Sequence, residues 1–183
     1  YHWLKVHQNN STGLVISFEG DIQLDDWAFT YDQALVSQVF TMFGDYQRAR
    51  KIFNFYRAKT KKDFQGFVNA YYASTGDEAE YIVHSGPNLW LGIAIVQYTL
   101  KSEDGQYLSL AKKIADWAIS IQDKDPEGGI KGGPRARWFS TEHNLDAFAF
   151  FNMMYKLTEE DKYQVAAERS LDWLVAHAYD KKV

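Results

Sequence analysis

The feature that most constrains this chain is a repeat. Asn88 and Asn144 lie 56 residues apart, each at the head of an apolar segment, and the frame around them runs without a gap. Leu89 matches Leu145, Tyr107 matches Tyr163, Ala111 matches Ala167, and Asp116-Trp117 matches Asp172-Trp173. Another 56 residues back stands Asp32, at the head of a third such segment. The first unit keeps the frame once its turn is shortened by five residues, so that Tyr46 answers Tyr107. Identities at one fixed spacing, with turns at matching places, are the mark of helical hairpins stacked on one another.

Within each unit the apolar residues recur at helical spacing. Ala34, Leu35, Val39, Met42 and Phe43 form one helix, Gly44-Asp45 breaks it, and Ala49, Ile52, Phe53 and Tyr56 share a face of the next. The turns Glu103-Asp-Gly105 and Glu159 to Asp161 divide the second and third units in the same way. The hairpins are therefore expected at about 31–58, 88–121 and 144–178 of a single repeat domain covering 1–183. An irregular segment, 1–30, precedes them, with a short helix end at Tyr1 to His7 and an extended piece at Leu14 to Phe18. The first helices of the later hairpins are apolar nearly all round (Leu89 to Val96, Ala147 to Met154). The second helices carry charge (Lys112, Lys113, Asp116; Glu168, Arg169, Asp172). A helix with no polar face must be buried on all sides. The chain is thus predicted to be all-α, with an inner layer of first helices, an outer layer of second helices, and long loops at the N-terminal ends of the inner ones.

Those loops carry the unusual part of the composition. Aromatic residues make up 16% of the chain. Many fall in loops or at helix starts, among them Trp27, Tyr31, Trp90, Trp138 and Phe139. They suit stacking against the C–H faces of sugars, or plugging the ends of a helical barrel. The third loop, Asp123 to His143, is long and rich in Gly and Pro, and such loops inside compact domains are often functional. Its glycines lack the spacing and the following Lys of a phosphate loop.

Other classes are set aside. A net charge of -4 with mixed signs argues against nucleic acid, which needs clustered Lys and Arg; Lys59 to Lys62 reads as a solvated linker. No apolar run is long enough to span a bilayer, so no membrane partner is expected. The absence of cysteine excludes disulfides and thiolate metal sites, and leaves both the bacterial cytoplasm and extracytoplasmic locations open. Five scattered His with no H-x-x-x-H pattern predict no metal, and no motif asks for a cofactor. Without an initiator Met or a signal peptide, the chain is expected to begin inside a longer or processed polypeptide.

Alternating inner and outer helices with aromatic loops on one face resemble the (α/α) toroid of the six-hairpin glycosidase superfamily. Thr12-Gly-Leu-Val-Ile-Ser-Phe18, Phe29-Thr-Tyr-Asp-Gln-Ala34 and Ser140-Thr-Glu-His-Asn-Leu-Asp-Ala147 are similar to segments of bacterial members of that group. Six hairpins of this length take about 340 residues, so three make half a toroid, a fragment or an open arc, with further repeats expected in the same polypeptide or in a second copy. The resemblance implies a glycan cleft on the loop face and cleavage by two carboxylates.

The carboxylates favoured by position are Glu142, as general acid with Trp138 and Phe139 expected to desolvate it and raise its pKa, and Asp32 as its partner. Each has a plainer reading as a helix-capping or dipole-matching acid. Trp27, Tyr31, Trp90 and Trp138 are candidate stacking platforms, and His84 and His143 candidate partners for sugar hydroxyls. Asp146 stands in the first turns of an apolar helix, where an unpaired carboxylate is costly to bury, and Arg135 or Arg137 is the expected counter-ion. The predicted partner is an oligo- or polysaccharide. The competing reading is a non-catalytic repeat module that binds protein or glycan on the same face. A toroid enzyme of another class, such as an epimerase or lyase, would need a His or Tyr base that the sequence alone does not single out.

Overall fold

The computed structural model describes residues 1–179; the expected domain limit at 183 lies outside them. Seven helices and three short strands run in the order α1 (His2–Val6), β1 (Trp27–Phe29), α2 (Thr30–Met42), α3 (Tyr46–Lys59), β2 (Ala70–Tyr72), β3 (Glu78–Glu80), α4 (Ser85–Ser102), α5 (Leu108–Gln122), α6 (Thr141–Thr158) and α7 (Asp161–His177). Inner helix α4 packs between α2 and α6, while α3, α5 and α7 each back onto the inner helix of their own hairpin. The two layers expected from the apolar and charged helices are therefore present. None of the helices is long and apolar enough to cross a membrane.

One element lies outside the all-α expectation. β1, β2 and β3 form an antiparallel sheet, with Trp27 opposite Tyr72 and Phe29 opposite Ala70. Three-residue strands are too short to show an alternating pattern, so periodicity could not reveal them. The sheet ties the entry to α2 to the long connection before α4.

The repeat identities have physical causes. Asn88 and Asn144, both fully buried, sit one turn into α4 and α6 and act as latches. Asn88 Oδ1 accepts from the Phe67 amide at 2.7 Å, while its Nδ2 donates to Phe67 O and His84 O. Asn144 treats Ile130 and Ser140 in the same way, at 2.7, 3.1 and 2.9 Å. A side-chain amide thus supplies the donor and acceptor that a buried loop backbone needs. Trp117 and Trp173 are clamps of a second kind, each ring packing on a loop glycine, Gly66 or Gly129, where a Cβ would collide. Tyr107 reaches Asn54 on the preceding outer helix, and Tyr163 reaches Asp116 in the same manner. The two matched turns share one geometry, with Glu103 and Glu159 both left-handed at φ 57.

The inner helices begin at Thr30, Ser85 and Thr141, so the first interval is 55 residues and the second 56. Asp32 is accordingly one residue out of the latch register. Gln33 takes the place, pairing with both the amide and the carbonyl of Val15 at 2.9 and 2.7 Å. The α4 and α6 helices also start three residues ahead of the asparagines. Pro87 is tolerated there because first-turn amides have no intrahelical acceptor to lose.

Candidate functional site: carboxylates and aromatics on the loop face

The N-terminal ends of α2, α4 and α6 lie side by side and bring most of the singled-out residues together. Tyr31 from α2 and Trp90 from α4 meet with ring centroids 5.7 Å apart. The Tyr31 hydroxyl is pushed above its ordinary pKa, first by burial and then by the charges of Glu142, Asp146 and Asp32, with Glu142 also within hydrogen-bonding reach. Three carboxyl groups from two helices therefore act on one phenol.

Asp146 is the unusual member. It is only 8% exposed, and its Oδ2 is a buried atom with no hydrogen-bond partner. Burial in apolar surroundings and the neighbouring charge of Glu142 push its carboxyl up to about 7. The indole N–H of Trp90 opposes this slightly. Its Nε1 is itself buried and unpaired, so the two groups act on one another without a well-formed hydrogen bond. Glu142, one helical turn earlier on the same face, is exposed at the start of α6. The desolvation expected for Glu142 thus falls on Asp146 instead. The reason is where the aromatics point: Phe139 stacks on Trp173 at 5.4 Å, and Trp138 turns toward His84 and His143. Neither Arg135 nor Arg137 makes an ion pair among the described residues; both are exposed, and Asp146 is left without the counter-ion expected for it.

A second group gathers around His143. Trp138, 48% exposed, lies 5.6 Å from the His143 ring and 6.1 Å from His84. His143 hydrogen-bonds the hydroxyl of Ser85 at 2.9 Å, and burial lowers its pKa despite the nearby Glu142. Trp27 stands apart from both groups, on β1 against Phe29 and Tyr72. Two surface hollows of about 290 and 210 Å3 lie on the outer-helix side, lined by residues such as Phe64, Trp117 and Arg57, away from Asp32, Glu142 and Asp146.

Ser85 carries a part of this arrangement that the sequence did not flag. Ser85-Gly-Pro87 reads only as a loop-to-helix junction, and the partner of its hydroxyl is 58 residues away.

No family model and no curated protein matches the chain by sequence. Solved structures do match by shape. A cellobiose 2-epimerase from Bacillus thermoamylovorans superposes with a TM-score of 0.81 at 11% identity, over 99% of this chain and 53% of its own. A D-mannose isomerase gives 0.80 at 15% identity, over 99% and 52%. An unsaturated glucuronyl hydrolase specific for heparin gives 0.77 at 12% identity, over 95% and 53%. The chain has the fold of the six-hairpin, (α/α)-toroid proteins, a fold shared by glycoside hydrolases and sugar isomerases. It spans about half the length of the structures it matches, as a partial toroid of three hairpins.

Proposed function

We propose that the loop face binds an oligo- or polysaccharide and hydrolyses it with a carboxylate pair, Asp146 giving the proton and Glu142 or Asp32 serving as the second carboxylate. The observation that carries this reading is Asp146 itself, a buried and unpaired carboxyl held up to about 7 beside an exposed Glu142. Two acids in unlike environments divide into a proton donor and an ionised partner. Asp146 protonates the glycosidic oxygen as the C–O bond breaks. The second carboxylate either takes a proton from the attacking water or attacks the anomeric carbon, and the separation of the pair decides which. Trp90 and Trp138 supply faces for the sugar rings.

The test is release of reducing ends from a panel of oligosaccharides, followed together with quenching of tryptophan fluorescence. Asp146→Asn is expected to lower turnover on the order of a hundredfold or more while binding persists. Turnover by the parent is expected to fall as pH rises through about 7, where the donor loses its proton. Undiminished turnover in Asp146→Asn sinks the assignment. Saturable quenching with no turnover by the parent favours a second reading, a glycan-binding module.

A further inference from the structure

Ser85, in the first turn of α4, makes two hydrogen bonds that together place a proton on another ring. Its side chain is fully buried, with Oγ 2.7 Å from the Lys131 carbonyl and 2.9 Å from His143 Nδ1. A carbonyl oxygen can only accept, so the single hydroxyl proton goes to Lys131 and Oγ is left to accept from His143. Nδ1 therefore carries the hydrogen, and in the neutral ring Nε2 carries the lone pair. Burial favours that neutral ring, Glu142 opposes it, and His84 adds to the burial effect. Nε2 makes no hydrogen bond among the described residues and is not one of the buried unpaired atoms, so it keeps contact with solvent. Gly86 makes room for it: a Cβ there would come within 2.5 Å of His143 Nε2 and Cδ2.

We propose that Ser85 holds His143 in the Nδ1–H tautomer so that Nε2, beside Glu142 and Trp138, accepts a hydrogen bond from a hydroxyl of the ligand. Ser85 is then a positioning residue, and the site selects ligands with a donor at that place over ligands presenting a carbonyl or carboxylate. The proposal rests on the carbohydrate reading for the nature of the ligand. The tautomer does not depend on it.

Nitrogen NMR of the ring-labelled chain at mildly alkaline pH separates the two. The His143 pattern is expected to show protonated Nδ1 and bare Nε2, and Ser85→Ala to lose that preference. A ring protonated at Nε2, or an unchanged pattern in Ser85→Ala, overturns the proposal. An oligosaccharide that quenches the tryptophans is expected to shift Nε2, and His143→Ala to bind it roughly tenfold more weakly, with His143→Gln recovering part of the loss. Quenching with Nε2 unmoved also overturns the proposal. Absence of quenching by every sugar in the panel overturns the ligand role together with the carbohydrate reading, and the tautomer measured in the free chain still decides whether Ser85 sets the ring.

Discussion

The first turns of α4 and α6 occupy the same place in the repeat, and they are alike at one position and unlike at another. Asn88 and Asn144 make the same three hydrogen bonds to loop backbone and helix start. Two residues further on the register pairs Trp90 with Asp146, an indole with a carboxyl, and these two act on one another across the inner layer. Where the repeats agree, the side chain solves a problem each hairpin has, namely a buried loop backbone that must be satisfied. Where they differ, the scaffold is already held, and the position is free to carry chemistry. The group of acids and aromatics is built from such differences. Glu142 answers Gly86, His143 answers Pro87, and Asp146 answers Trp90.

The comparison can be broken most sharply at the shared position. Removing either latch, Asn88→Ala or Asn144→Ala, leaves a buried amide and carbonyl unpaired and is expected to cost ~3 kcal/mol in urea unfolding, with the two variants alike. A loss below ~1 kcal/mol at either would mean that water replaces the amide. Next comes the contact between the two helices. A Cβ at Gly92 would lie 2.3 Å from the Phe150 ring. Gly92→Ala is therefore expected to cost ~2 kcal/mol by overpacking, measured in the same way.

The divergent position should behave oppositely. Asp146 has its carboxyl raised from 3.8 to about 7, so the folded chain prefers the proton that the unfolded chain gives up. Stability on this account is intact below pH 3.8, falls as pH rises from there to about 7, and stays low above. Asp146→Asn removes the ionisation and is expected to stabilise the chain by ~2 kcal/mol at neutral pH, a gain that vanishes in acid. Thermal melts at both pH values check the sign. A more stable and inactive variant is the pattern of a strained functional site. The smallest effect belongs to Trp90→Phe, which keeps a ring against Tyr31 but removes the indole N–H. The Asp146 carboxyl is expected to titrate higher still, at a stability cost under ~1 kcal/mol, read by carbon NMR of the labelled carboxyl. A lower titration would show that the indole does not act on the acid.

Much of the framework was legible in the chain. The 56-residue spacing, the turns at Glu103 and Glu159, and the contrast between apolar first helices and charged second helices are local or periodic signals, and the layers follow from them. The sheet was not legible, because strands of three residues have no period to read. Asp32 was placed in the latch register by counting, yet Gln33 makes the bonds. An amide with one more methylene reaches Val15 from a helix that starts a residue later in the frame. Which acid is buried was not legible: Trp138 and Phe139 precede Glu142 in the sequence, yet Glu142 is exposed and Asp146 is the buried one.

The sequence by itself determined that the chain would form stacked helical hairpins, which helices would be inner, and on which face the aromatic loops would gather, because burial of apolar faces is written in their spacing. Only the tertiary structure decided which carboxyl is buried, which amide latches the first loop, and which nitrogen of His143 meets Ser85. Each of those depends on groups from separate hairpins meeting within a few ångströms. Desolvation and hydrogen bonding are properties of that meeting, and neither Asp146 nor His143 carries them alone.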